Sequence, residues 1–339
     1  MGYPLGWSVV TQTLVRRERW PGWLKAKGTA LVYPGQEVQP DQPVMRIEMR
    51  QLDPEKTAAP RSSLPTAVVG TMDSSTANSA TDTNGRHSGE TIPAGMRGRV
   101  VDVTRRGGVV IESRAAVIQG AIGAGCQVAG VLTLWQAPDA GYGQQPIPPG
   151  AILVIPGPLN FAMLRQALSS NVSGVVASSI STRDLEGFLR ADLVQLIDSM
   201  NAEVAQVHLP PITLLLSEGL GTIAMPARTI HLLSQYQGAI ALLSGATSVR
   251  QGIFPELIIS LPVEEVQQSW HPVRPDPALG IGAQVRICSG EYEGAIGELN
   301  YLFTHQQVFA SGIRARAARL QLEDGSTLVV PMMLIERIG

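Results

Sequence analysis

The sequence predicts a multi-domain protein that combines α+β and α/β regions. Its 339 residues are 44% hydrophobic and 16% charged, a composition that allows more than one buried core. Residues 150–262 alternate apolar, strand-like runs with segments of helical periodicity. On both sides of this region, short segments alternate apolar and polar residues between Gly and Pro corners, which predicts strands joined by tight turns.

The first predicted domain comprises residues 1–50 and 92–140. Residues 28–48 and 92–113 carry the alternating strand pattern. Both halves resemble the biotinyl/lipoyl family, whose fold is a barrel-sandwich hybrid. In that family a strand ending in Ile-Glu leads to the modified lysine, and here Arg50 follows Ile47-Glu48-Met49 at the matching place. Because arginine cannot form the amide to biotin or lipoate, we expect this fold without either cofactor.

Residues 51–91 interrupt that domain. They lose hydrophobic periodicity and are rich in Ser, Thr, Ala and Pro, which predicts a flexible insertion without a core of its own.

A glycine cluster lies later in the same domain, at Gly120, Gly123, Gly125 and Gly130. A dinucleotide-binding fingerprint requires a helix directly after its glycines. Residues 131–135 have the composition of a strand instead. Tight turns or close backbone packing is therefore the favoured interpretation, and a nucleotide site is the alternative.

Positive charge is concentrated in the N-terminal third. Residues 1–50 carry seven Lys/Arg against four Asp/Glu and residues 91–140 carry five against three, together +5 in a chain of net charge -2. Basic residues and indoles interleave between 16 and 27, which suits base stacking and phosphate contacts. We favour the alternative, in which the indoles cover the barrel and the charges face water. The candidate nucleic-acid residues of this run are Arg16, Arg17, Trp20, Trp23, Lys25 and Lys27.

Lysine and cysteine usage narrows the chemistry further. No lysine follows Lys56, so the α/β region has neither a P-loop lysine nor a Schiff-base lysine. Cys126 and Cys288 are expected to be buried thiols in a reducing compartment. We find no secretory signal and no apolar run approaching the ~20 residues of a transmembrane helix, so we expect a cytoplasmic protein. Since the histidines lack metal-ligand spacing, no metal site is predicted.

The α/β domain at 150–262 is expected to hold a small parallel sheet. Its strands are predicted at 151–155, 174–177, 211–216, 239–243 and 256–259. Parallel sheets bind ligands beyond the carboxyl ends of their strands. The candidate ligand-binding residues at these ends are Gly157, Ser178, Ser217, Glu218, Gly219, Gly221, Ser244, Gly245, Thr247 and Arg250. Glu218 is the candidate acid/base; Ser217 lacks the flanking glycines of a nucleophile elbow. Short α/β loops also contain Gly, Ser and Thr without binding a ligand, and both interpretations stay open.

A Pro-rich linker at 263–279 precedes the last predicted domain, at 280–339. Residues 282–287 and 290–298 read as a strand, a turn and a Gly-x-x-Gly that begins the next strand, and they resemble the KOW motif of SH3-like barrels. Asp324-Gly325 predicts a hairpin turn. The resemblance implies an interaction module, and many KOW domains contact RNA, the ribosome or polymerase. Residues 263–339 carry six basic against nine acidic residues, which disfavours nucleic acid, although Arg314 and Arg316 are candidate contacts.

The order of the three domains also resembles a group of uncharacterised bacterial proteins. The most recognisable segments are Glu218-Gly219-Leu220-Gly221 and Ser244-Gly245-Ala246-Thr247. The resemblance implies no reaction, and three functions remain open. We favour a non-enzymatic scaffold or adaptor that holds protein partners through its β modules. The alternatives are a small-molecule or nucleotide-binding α/β protein or enzyme, and an RNA- or DNA-binding protein.

Overall fold

A computed structural model describes most of the chain and shows a mostly β protein. The described residues are 9–20, 26–49, 90–135, 147–206, 208–262 and 279–337. Strands make up 46% of the structure and helices 15%, in one large curled mixed sheet and several small sheets. Predictions for Trp23, Lys25, Arg50, nearly all of the 51–91 insertion and nearly all of the 263–279 linker fall outside the described residues.

The N-terminal region forms short strands around a shared core. Before residue 136 the described strands are β1 (Val9–Arg19), β2 (Ala26–Ala30), β3 (Glu37–Val38), β4 (Pro43–Met49), β5 (Glu90–Pro93), β6 (Gly98–Val103), β7 (Val109–Gln119), β8 (Ile122–Ala124) and β9 (Gln127–Leu134). Strands β2, β4 and β5 form a three-stranded antiparallel sheet, whereas β3 and β6 pair next to β7. Both groups bury alternate side chains, including Val38, Ile47 and Ile111, in one cluster. The short strands that the alternation predicts are present, and β5 begins two residues earlier than expected.

Residues 147–262 alternate strands and helices, as the periodicity predicts. The elements are β10 (Ile152–Ile155), α1 (Phe161–Ser169), β11 (Gly174–Ile180), α2 (Thr182–Leu189), α3 (Leu193–Ile197), α4 (Ala202–Ala205), β12 (Thr213–Leu220), α5 (Ala227–Gln235), β13 (Ile240–Ser244) and β14 (Glu256–Ser260). Helix α2 begins after Ser181, whose side chain accepts the Asp184 N–H at 3.1 Å. Within the described ranges, no helix combines the length and the apolar character that crossing a membrane requires.

The large sheet corrects the predicted parallel sheet. Its order is β3-β6-β7-β14-β13-β9-β10-β11-β12-β8. Strand β1 lies outside this order and also pairs with β7. Strands β9, β10, β11 and β12 are parallel, but β13 is antiparallel to β9, and β14 is antiparallel to both β13 and β7. The prediction of a parallel sheet is therefore wrong for its last two strands. The physical reason is that periodicity identifies a buried strand but not its neighbours: β9, from the preceding region, lies between β10 and β13.

The C-terminal residues form a separate five-stranded sheet. The strands are β15 (Gln284–Ile287), β16 (Ile296–Leu302), β17 (Gln307–Val308), β18 (Arg314–Ala315), β19 (Ala317–Leu322), β20 (Thr327–Pro331) and β21 (Ile335–Arg337). The sheet order is β20-β19-β16-β15-β21, all antiparallel, and β17 pairs with β18. A 3-10 turn at Met332–Leu334 brings β21 beside β15. The Asp324-Gly325 hairpin is confirmed: Gly325 has φ +83°, and β19 and β20 pair on either side.

Candidate functional site

Six of the predicted ligand-binding residues lie at one edge of the large sheet. Ile155 pairs with Ala177 and Ala177 with Leu216, so the carboxyl ends of β10, β11 and β12 lie side by side. This edge carries Gly157, Ser178, Ser217, Glu218, Gly219 and Gly221. At Gly157 and Gly221, no described atom lies within 4 Å of the position that a Cβ would occupy.

A bulge in β12 shapes this edge. The pairing of β11 with β12 shifts register, because Ala177 opposes Leu216 but Ser179 opposes Gly219. Gly219 has φ +84°, a left-handed conformation that glycine adopts without strain. The Ser179 hydroxyl donates to the Ile223 carbonyl at 2.8 Å and thereby anchors the segment after β12. The neighbouring Ser178 is fully buried, and its hydroxyl has no hydrogen-bond partner within the described part of the chain.

Glu218, the candidate acid/base, is bound by an arginine of the C-terminal sheet. Its side chain is only 3% exposed and forms an ion pair with Arg286 of β15. The Arg286 guanidinium also contacts the Glu336 carboxylate of β21, with its Nε at 2.7 Å and its Nη2 at 2.5 Å. Burial raises the pKa of Glu218, and the positive charge of Arg286 partly offsets that effect. Glu218 is thus a buried contact between two parts of the fold, with its charge already compensated.

The other four predicted residues lie at the opposite edge. Because β13 is antiparallel to β9, Ser244 at its carboxyl end pairs with Gln127 at the amino end of β9. The expectation that Ser244, Gly245, Thr247 and Arg250 share an edge with Glu218 is therefore wrong.

This opposite loop is held by internal contacts. The Thr247 hydroxyl accepts the Gly123 N–H at 2.8 Å and donates to the Gly123 carbonyl at 3.0 Å. Arg250 forms two hydrogen bonds with Asp198, at 2.6 and 2.7 Å, in an exposed pair. The hydroxyl and the guanidinium that suggested ligand contacts are thus engaged in closing the loop.

Close backbone packing, the favoured interpretation of the glycine cluster, is confirmed. A Cβ at Gly123 would lie 2.5 Å from the Leu214 carbonyl oxygen and 2.6 Å from the Gly245 carbonyl oxygen. Cβ atoms at Gly120, Gly125 and Gly130 would also meet neighbouring atoms closer than real Cβ atoms approach them. The residues that follow form β9, the strand that the sequence predicts there.

Residues 16–19 of the N-terminal basic run lie in β1, and its candidate residues Arg16 and Arg17 are engaged with the rest of the fold. Arg16 pairs with Glu112 at 2.5 Å, and Arg17 binds both carboxylate oxygens of Glu256 at 2.5 and 2.7 Å. Trp20 is buried in the N-terminal core, whereas Lys27 is exposed. Nucleic-acid binding by this run stays a prediction from the sequence.

Sequence reasoning missed the role of Arg286 and the burial of Arg19. In β15, Arg286 lies between the buried Val285 and Ile287, so alternation shows that it faces away from its own core. Its partner Glu218 lies 68 positions earlier in the chain, and no local pattern links them. Arg19 ends the basic run, and nothing in its neighbours distinguishes it from the exposed arginines.

Arg314 and Arg316 are both exposed in the C-terminal region. Their neighbour Arg319 is also exposed, and its guanidinium carbon lies 5.1 Å from the centroid of the Tyr301 ring. Tyr301 is exposed as well, so Tyr301 and Arg319 lie together at the surface of the C-terminal sheet.

Among the described residues, no group of three or more His, Cys, Asp or Glu side chains is arranged to hold a metal ion. Comparison of the chain with protein families, with curated proteins and with solved structures found no match.

Proposed function

We propose that this chain is a non-enzymatic scaffold or adaptor that holds a protein partner through its β modules. The observation that carries the proposal is a row of exposed side chains across three strands of the C-terminal sheet. Tyr301 of β16 pairs with Arg319 of β19, and Arg319 pairs with Val329 of β20. Cross-strand partners share one face of a sheet. All three side chains are exposed, and Tyr301 is 43% accessible.

The composition of this row suits a protein partner. The Tyr301 ring meets Phe303 edge to face at 5.0 Å, and Arg319 stacks over both rings. Tyrosine and arginine are enriched among the residues that dominate binding energy at protein interfaces. Arg319 belongs to this row, and Arg314 and Arg316 are exposed shortly before β19 in the chain. The partner surface should therefore combine an apolar group with carboxylates.

The fold supports the modules on which the proposal rests. The C-terminal strand order, with a 3-10 turn before the last strand, supports an SH3-like (KOW) barrel at 280–339. The two strand groups that share one N-terminal core support a barrel-sandwich hybrid. Since Arg50 stands where that family has its modified lysine, we propose that it carries neither biotin nor lipoate. We place the function in the cytoplasm, where free thiols stay reduced. Cys126 is partly exposed and Cys288 is exposed, so the expectation that both thiols are buried is wrong.

Affinity capture with matched variants tests the proposal. We expect the tagged full chain to recover one stoichiometric protein partner from native lysate. The double variant Tyr301→Ala/Arg319→Ala should weaken that complex by about 30-fold or more, since such residues contribute about 2 kcal/mol or more when they anchor an interface. Gln321→Ala, an exposed change on the same strand, is the control and should retain the partner. Recovery of the chain alone in repeated captures, or equal recovery by all variants, would reject the proposal.

A second function, small-molecule binding at the carboxyl edge of β10, β11 and β12, is favoured by one specific observation. The Ser178 hydroxyl is buried there without a hydrogen-bond partner in the described residues, next to the open backbone at Gly157. Buried polar groups normally have a partner. A ligand that accepts or donates a hydrogen bond would supply the missing one.

A thermal-shift screen of nucleotides, flavins and small acids tests this second function. A ligand at 100 times its dissociation constant should stabilise the protein by about 2.7 kcal/mol. Ser178→Ala should raise the stability of the protein alone by about 1 kcal/mol, because it removes an unpaired buried hydroxyl, and should reduce the shift produced by the ligand. No shift with any compound, or an undiminished shift in Ser178→Ala, would count against this site.

A further inference from the structure

The C-terminal sheet touches the carboxyl end of β12 through an ion pair. This is the ion pair of Glu218 with Arg286, in which Arg286 is 25% exposed and also contacts Glu336. A second approach joins Gly294 of the C-terminal part to Ile223, which follows β12: a Cβ at Gly294 would lie 3.4 Å from Cγ2 of Ile223.

Arginines from both sides face acidic residues in this region. Arg228 of α5 is partly buried; burial lowers the pKa of its guanidinium, while the charges of Glu323 and Glu218 act in the opposite direction. Glu323 belongs to the C-terminal part and Glu218 to β12, so attraction again crosses the contact. Burial also disfavours the charged form of Arg286. The charges of Glu218 and Glu336 outweigh this effect and raise the pKa of its guanidinium. The contact thus has charged residues on both sides, and each buried charge depends on an opposite charge across the contact.

Loss of one of the two charges is expected to open this contact. A buried ion pair pays a large desolvation cost that only its partner offsets, so removing one partner strongly favours separation. When the two parts separate, water solvates both charges and recovers that cost. Contacts between modules that are polar and small permit relative motion by default.

We propose that Arg286 is a latch. It holds the C-terminal sheet against the carboxyl end of β12, and opening of its pair with Glu218 releases the sheet and exposes the Glu218 carboxylate. The latch makes Glu218 a switch residue. This inference is independent of the proposed function, because its test needs no partner and no ligand.

Hydrogen exchange of the full chain, measured by mass spectrometry, tests the latch. In Arg286→Met, which keeps an apolar stem and removes the charge, we expect exchange about tenfold faster in peptides covering 217–225 and 286–296. Peptides from β7 and β13 should be unchanged, because those strands lie inside the large sheet. The double variant Arg286→Met/Glu218→Gln should exchange no faster than Arg286→Met alone, since paired residues are not additive.

The exposed pair of Arg250 with Asp198 provides the matched control. It has the same chemistry, but its two side chains are 54% and 50% exposed, so Arg250→Met should leave both peptides unchanged. If Arg286→Met does not fold, Arg286→Lys retains the charge but loses the contact with two carboxylates and should accelerate exchange in the same peptides. Unchanged exchange in these variants would overturn the latch, and so would equal acceleration in every strand.

Discussion

Replacement of Gly123 by alanine is expected to destabilise the protein by about 3 kcal/mol. The added methyl would lie 2.5 Å from the Leu214 carbonyl oxygen, 2.6 Å from the Gly245 carbonyl oxygen and 2.6 Å from Cβ of Pro255. Two of these atoms belong to the backbone, and all three surround the site, so β8 and β12 would have to move apart. Urea unfolding followed by circular dichroism measures the effect as a lower midpoint.

Gly157→Ala is the matched control for that change. Gly157 has no described atom within 4 Å of its Cβ position, so the substitution should change stability by no more than about 0.5 kcal/mol. Equal midpoints for the two variants would contradict the cost assigned to the close packing at Gly123.

Replacement of Arg19 by alanine is expected to cost about 3 kcal/mol, from lost hydrogen bonds to a charged group and a cavity. Arg19 is 3% exposed, and burial lowers its pKa to about 10. Its Nε donates to the Pro93 carbonyl at 2.8 Å and its Nη1 to Oε1 of Gln127 at 2.7 Å. Alanine would remove the donor to the Pro93 carbonyl and one of the two donors to Oε1 of Gln127, which also accepts the Trp20 N–H at 3.1 Å. It would also open a cavity between β1, β5 and β9.

Arg16→Ala separates this effect from a general loss of positive charge. Arg16 belongs to the same basic run, but it is 67% exposed and pairs with Glu112 at the surface, so its loss should cost about 1 kcal/mol or less. Thermal unfolding of the two variants side by side measures the difference. If both lose the same stability, Arg19 does not have the structural role assigned to it.

Local periodicity was sufficient to predict most elements of the fold. The alternation in 28–48 and the apolar run at 151–155 identified strands, and Asp324-Gly325 identified a hairpin. These signals are local because a strand or a helix buries one face of its own residues. Glycine spacing was informative for the same reason: the missing helix after Gly130 was visible in the sequence.

Strand neighbours were not predictable in this way. The direction of β13 depends on its pairing with β9 and β14, and an apolar strand buried on both faces carries no record of which strand lies beside it. For this reason the predicted ligand residues divided between two edges of the sheet. Ser178, Ser217 and Glu218 lie together, whereas Ser244 and Thr247 lie at the far side.

The sequence of residues 150–262 was thus sufficient by itself to predict alternating strands and helices with small residues at the strand ends. Only the tertiary structure decided what those ends do. Arg286 compensates the charge of Glu218. The Thr247 hydroxyl is hydrogen-bonded to the backbone of Gly123, and Gly123 itself packs closely against Leu214 and Gly245. The reason is physical: the charge, hydrogen bonding and space at a residue depend on atoms that are distant in the chain and adjacent only after folding.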